Sequence, residues 1–318
     1  MGLGKVAAET AMDLVKNENI QNKTVDILGL LFPYAGIEKR ALEMYVSDVE
    51  KSDMPAESKL IAVLNAKQTI KKLKNQKGVA EKAVANAKEG TVFDASSGVD
   101  QEWFERFMDS AGFVSDEQVQ MMWGKVLAKE FEAPGSTPLN MIRILSEITP
   151  KYAQVFQKIC SMRRLMVLLD SNGNVIASRE DIVVPYKGSG DKMRSLGLSF
   201  DILNEIETLG LIKFDSSAGY AALNIPEGCI LTYTNGTTKE VIKHKNGQIP
   251  IGSVMLTDAG ECLMRITQPV EIPDYEALEK EYMTQNGVTY KEPTEYNIFI
   301  DKTGSYKLEK ISTIDANK

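Results

Sequence analysis

The sequence predicts an α+β protein that is mainly helical: an N-terminal and central helical bundle, then a winged-helix-like module with β-hairpins and a small β tail. Three observations predict it. Residues 99–150 hold three helices with clear start signals and both tryptophans, Trp103 and Trp123. Upstream of them, apolar residues recur at helical spacing. After Ile159 the period changes to short strands, with turn pairs at Asn235-Gly236, Asn246-Gly247, Asn286-Gly287 and Thr303-Gly304. The expected organisation is an N-terminal helical region over 1–98, a central bundle over 99–165, the winged-helix-like module over 166–270, and a helix with short strands over 271–318.

Leu3, Val6, Ala7, Ala11, Met12, Leu14 and Val15 predict an amphipathic helix over 3–17. The apolar run 25–36 is broken by Gly29, Pro33 and Gly36. It is too short to span a bilayer, so it reads as a buried helix and turn, with insertion of 27–35 at a membrane interface as the rival reading. A helix over 38–49 follows, then a break at Ser52-Asp53-Met54-Pro55. The next helix runs from Ala56 to about Leu73, with Leu60, Ile61, Leu64 and Ile70 on its apolar side.

Between Lys67 and Lys88 there are seven lysines against one acid, Glu81. Lys67, Lys71 and Lys74 fall at i, i+4 and i+7 and share a helix face suited to phosphates or an acidic partner. No aromatic residue or arginine is interleaved to stack on bases. A solvated lysine face explains the run more simply than nucleic-acid binding. Residues 89–99 form a polar hinge.

In the central stretch, Asp100 is the expected N-cap of a helix carrying Trp103, Phe104, Phe107, Met108 and Ala111. Ser115 and Gln118 make a capping box for a second helix with Val119, Met122, Trp123, Val126, Leu127 and Phe131 inward. A third helix is expected from Ser136 or Thr137, lined by Leu139, Ile142, Leu145 and Ile148. Thr149-Pro150 opens a fourth, with Val155, Phe156 and Ile159. Both tryptophans sit on apolar faces and are expected in the core.

The run from Val114 to Ala128, Val-Ser-Asp-Glu-Gln-Val-Gln-Met-Met-Trp-Gly-Lys-Val-Leu-Ala, is followed by Pro134-Gly135-Ser136 and a Leu/Ile-rich helix. It resembles a bacterial family of unknown function related to the abortive-infection alpha (Abi-alpha) proteins. Members of that family carry a Ser-Asp-Glu, then Gln, then Leu-Trp-x-x-(Ile/Leu)-Leu-Ala helix after an aromatic helix. Met122 stands where the family has leucine, a volume-conserving swap. The likeness covers residues 95–160 and rests on caps and core positions. It implies a cytoplasmic bacterial protein in a phage-defence setting, with no catalytic residues to carry over.

Farther on, residues 165–177 read as strand, turn and strand, or as a helix ending at the turn. Asp170, Asn172 and Asn174 imitate the start of a calcium loop, but Val175 occupies the position of its glycine, so turn chemistry is the better explanation. Ser199 caps a helix carrying Ile202, Leu203, Ile206 and Leu209, which ends at Gly210 before the strand Leu211-Ile-Lys-Phe. Wing-like hairpins and a Leu-Thr-Asp-Ala-Gly helix starting at Thr257 complete the winged-helix resemblance. Asp201, Glu205 and Glu207, with no lysine or arginine, make that first helix a poor reader of DNA.

Composition excludes several classes. A net charge of −7 argues against a global nucleic-acid binder. Cys160, Cys229 and Cys262 are isolated and are expected as reduced thiols, not as a metal or disulfide site. The single histidine, His244, lies in a lysine-flanked turn with no acid beside it. Nucleotide-loop motifs are missing, and Lys187-Gly-Ser-Gly-Asp-Lys is too short for one. The N-terminus carries no signal-peptide pattern and no apolar run reaches the roughly 20 residues of a spanning helix. These observations predict a cytoplasmic, non-enzymatic protein without cofactor or metal, acting through protein partners, with self-association compatible. The alternatives are a nucleic-acid-binding regulator using Lys67, Lys71 and Lys74, and a membrane-perturbing effector using 27–35.

Overall fold

The computed structural model describes residues 19–30, 39–170, 172, 174–186, 190–225, 229–233, 238–243, 246–291, 296–300 and 306–310. Two compact units divide the chain, Met1–Glu147 and Ile148–Lys318. The division falls inside the segment 99–165 that the sequence suggested as one bundle. The expected helix 3–17, residues 31–38, His244, the segment 187–189 and the turns at 235–236 and 303–304 lie outside the described residues.

The first unit is helical: α1 (19–30), α2 (Lys39–Lys51), α3 (Ala56–Asn86), a short 3-10 turn (Ala95–Ser97), α4 (Gln101–Ala111), α5 (Glu117–Glu132) and α6 (Asn140–Glu147). Local chemistry sets most starts. The Asp100 carboxylate accepts from Trp103 N–H at 2.8 Å and caps α4. For α5 the cap is Asp116, not Ser115: its carboxylate accepts from Gln118 and Val119 N–H at 2.9 and 3.0 Å. A charged acceptor beside the positive helix end outcompetes the neighbouring hydroxyl. Helix α6 starts at Asn140, later than Ser136 or Thr137. The reason is Glu130, 2% exposed, whose carboxylate takes Gly135 N–H at 2.6 Å and Thr137 N–H at 2.9 Å and holds 135–137 as a loop.

Helix α3 differs most from expectation. It runs unbroken through the lysine-rich stretch, and its buried residues are Ala66, Asn75, Gln76, Val79, Ala80 and Ala83. Leu60, Ile61 and Leu64, expected to face inward, are 60, 53 and 49% exposed. Small residues win the interior because α5 crosses very close. A Cβ added at Gly124 would stand 2.5 Å from Lys82 Cβ and 3.0 Å from the Ala83 nitrogen. The two buried amides are accommodated by α4, Asn75 donating to Gly112 O at 2.8 Å and Gln76 to Met108 O at 2.9 Å. Around this crossing lies the aromatic core. Trp103 stacks on Phe107 at 4.8 Å, and Phe107 meets Trp123 at 4.7 Å. Phe131 joins Phe93 and Phe104.

The second unit contains α7 (Pro150–Ser161), β1 (Arg163–Leu169), β2 (Val175–Ile182), α8 (Gly190–Ser195), α9 (Phe200–Leu209), β3 (Ile212–Phe214), β4 (Tyr220–Ala222), β5 (Cys229–Tyr233), β6 (Thr238–Lys243), β7 (Ile249–Gly252), β8 (Val254–Leu256), α10 (Asp258–Met264), α11 (Tyr275–Gln285), β9 (Thr289–Lys291), β10 (Tyr296–Ile300) and β11 (Tyr306–Lys310). An antiparallel sheet has the order β2-β1-β5-β6-β9, and β3-β8, β4-β7 and β10-β11 form two-stranded ribbons. Of the two readings of 165–177, strand-turn-strand is correct, with Leu165 opposite Glu180. Asp170 closes the turn by accepting from Asn172 and Asn174 N–H, both at 2.8 Å.

Caps at Thr149, Ser199 and Thr257 start α7, α9 and α10 where the sequence placed them. Helix α9 ends on Gly210 at φ +96°, and the Thr257 hydroxyl donates back to its carbonyl at 2.7 Å. Helix α11 is fastened to the sheet in two ways. The Tyr275 hydroxyl lies 2.8 Å from Val183 O and 3.0 Å from Met162 O. Glu279 pairs with Arg164 of β1, both side chains being buried. Among the described residues, no helix is long and apolar enough to cross a membrane.

Candidate interaction surface

From Lys67 onward, the lysines of α3 divide into two sets. Lys72 pairs with Asp109, Lys77 with Glu81 at 3.7 Å, and Lys82 with Glu117 at 3.8 Å. Just beyond the helix, Lys88 pairs with Glu132 at 3.6 Å. Lys67, Lys71 and Lys74 are all exposed, and no hydrogen bond or ion pair engages them among the described residues. The structure therefore keeps the three together on one outward face, as their spacing implies.

The same face continues toward the N-terminus of α3 as apolar surface. Leu60 and Leu64 precede Lys67 on it, and Ile61 flanks them. On the antiparallel neighbour α2, Met44 and Tyr45 are 60 and 51% exposed. Counting back from the turn at 52–55 sets them level with Leu60–Leu64. Isolated exposed leucines are ordinary, whereas here several large apolar side chains are exposed at one level of a helical hairpin. Periodicity could not reveal it, because an outward apolar face and an inward one have the same spacing.

A groove of about 1070 Å³ opens on another side of α3, between α4 and α6. Thr69, Gln76, Ser110 and Ile142 contribute to it, with Lys72–Asp109 and Arg143–Glu147 at its rim. The cations there already have acid partners, so the groove offers no concentrated charge of either sign.

Reactive chemistry is sparse. Burial pushes the thiols of Cys160 and Cys229 up to about 12, which keeps both protonated and non-nucleophilic. Cys262 is also buried and forms no disulfide. Among the described residues, no group of three or more His, Cys, Asp or Glu is placed to hold a metal ion. The acids of α9 have local roles: Glu207 accepts from Phe214 N–H at 2.9 Å, and Glu205 faces Lys151 at 3.5 Å. Glu132 feels opposing influences. Burial raises its pKa, but hydrogen bonds from Lys129 and Lys88 N–H, with both lysine charges, outweigh that and leave it lowered.

A model of the family described as "Protein of unknown function (DUF2806)" matches residues 64–279, from the first third of α3 into α11. No curated protein and no solved structure matches the chain.

Proposed function

The chain belongs to the DUF2806 family, and for it we propose a non-enzymatic role as a component that acts by binding other proteins. One observation carries this reading: the solvent-facing apolar surface of Met44, Tyr45, Leu60, Ile61 and Leu64 on the α2–α3 hairpin. The proposed setting is cytoplasmic and bacterial, in antiviral defence of the abortive-infection type. That part rests on the likeness of the Val114–Ala128 run to Abi-alpha relatives. A winged-helix-like reading of α9, β3, β8 and α10 fits the same role as a scaffold, since the acids of α9 disfavour phosphate contact.

A nucleic-acid-binding role is the second reading, favoured by the free charges of Lys67, Lys71 and Lys74. The membrane reading of 27–35 loses support at Ile27, which is fully buried.

The test is a pull-down of the tagged protein from its native cells, before and during phage infection, with mass spectrometry and nucleic-acid quantification. Defined proteins that are captured by the wild type and lost from Leu60→Glu/Leu64→Glu are the expected result. Nucleic acid that survives moderate salt and is lost when Lys67, Lys71 and Lys74 become Glu would replace it with the second reading. A catalytic activity abolished by one substitution at clustered acids would refute the non-enzymatic role.

A further inference from the structure

The outward face of α3 carries an ordered pattern. Glu57, Leu60, Leu64, Lys67, Lys71 and Lys74 follow one another at spacings of 3, 4, 3, 4 and 3, the repeat of a coiled-coil seam. All six are exposed. Acid, apolar and base therefore lie in sequence along one line of the helix, with Glu57 and Lys67, and Leu60 and Leu64, symmetric in position about residue 62. Glu57 and Lys67 sit about 15 Å apart along the axis, too far to pair within one helix.

We propose that this line is the seam of a homodimer, in which α3 of a second copy lies antiparallel across it with the twofold axis at residue 62. That arrangement sets Leu60 of one copy against Leu64 of the other, twice. Glu57 then meets Lys67, also twice. Lys71 reaches toward the end of the other α3 that carries the exposed Asp53. A parallel pairing would instead stack lysine on lysine and glutamate on glutamate, so the charges select the antiparallel register. Ile61 adjoins the leucines on α3, and Met44 and Tyr45 of α2 are exposed at the same level of the hairpin. The contact is isologous: one patch serves both copies. It uses the same apolar face as the interaction role proposed above, and it names the occupant.

Sedimentation velocity of the full chain from about 1 to about 100 µM tests it. The mass is expected to rise from 35.2 kDa toward twice that value with concentration. Leu60→Glu/Leu64→Glu should weaken association at least tenfold while circular dichroism keeps its helical signal. Glu57→Lys alone and Lys67→Glu alone should each weaken it, and the double charge swap should restore it, which a nonspecific apolar contact would not do. A wild type that stays monomeric throughout overturns the proposal, and so do variants that all dimerise like the wild type. Self-pairing and the wider role separate cleanly. A monomeric wild type whose captured proteins vanish with the leucine variant ends the dimer and leaves the interaction role. A leucine-dependent dimer whose variants keep every captured protein upholds self-pairing and removes this face from the interaction role.

Discussion

Replacing Gly124 with alanine gives a sharp test of the α3–α5 crossing, because two effects of opposite sign compete there. In an open helix position Gly→Ala stabilises by about 1 kcal/mol through backbone propensity. At Gly124 the new Cβ would meet Lys82 Cβ at 2.5 Å, the Lys82 carbonyl carbon at 2.9 Å and the Ala83 nitrogen at 3.0 Å. Carbon atoms prefer about 3.5–4.0 Å, so the helices must part by roughly 1 Å. Two of the three obstacles are backbone and cannot rotate away. Overpacking of this kind costs about 2–3 kcal/mol. The propensity gain offsets part of it, leaving a net loss of about 1–2 kcal/mol. For a unit of this size that lowers Tm by about 3–6 °C. Tryptophan fluorescence during urea unfolding reports it selectively, since Trp103 and Trp123 both lie in the first unit. Gly29→Ala is the control: nothing stands within 4 Å of its added Cβ, so it should be neutral or stabilising. If Gly124→Ala stabilised the unit as well, the close approach of α3 and α5 would be refuted.

Three further outcomes are expected. Breaking the buried Arg164–Glu279 pair from one side, with Glu279→Gln or Arg164→Met, should cost about 3–5 kcal/mol, whereas Arg164→Met/Glu279→Leu together should cost far less; equal losses in thermal denaturation would contradict a desolvated pair. Cys160 and Cys229, with thiols pushed up to about 12 by burial, should resist iodoacetamide at pH 8 until urea is added, and rapid labelling of the folded chain would count against their burial. The Ala218 N–H, with the Ser217 hydroxyl and N–H, holds partly exposed Asp215 down to about 2 from an ordinary 3.8. A carboxylate depressed in the folded state favours its turn above about 3.8 and loses that preference as pH falls through about 2. Carbon-detected NMR titration checks this, and a midpoint near 3.8 would show the turn unformed.

What the sequence disclosed follows the range of the forces involved. Asp100, Thr149, Ser199 and Thr257 were legible as caps because each satisfies an N–H three residues away. The spacing of Lys67, Lys71 and Lys74 revealed a shared face, but their lack of acid partners depends on where Asp109, Glu117 and Glu132 fall in space. Leu60, Ile61 and Leu64 were misplaced because hydrophobicity alone assigns them to the core, while the interior of α3 is decided by a glycine 42 positions past Lys82. Nothing in the local sequence singles out Glu130. Only the fold shows it bonding to the loop before α6.

The fastening of α11 also sets an order of events in time. Tyr275 bonds to Met162, 113 residues earlier in the chain. At synthesis rates of about 5–20 residues per second, β1 emerges roughly 6–23 s before the helix that clamps it. Over that interval Arg164 has no Glu279 to neutralise it, and an uncompensated cation disfavours a dry interior. The sheet should therefore stay unsealed until α11 has left the ribosome, while the mostly local contacts of the first unit are already complete.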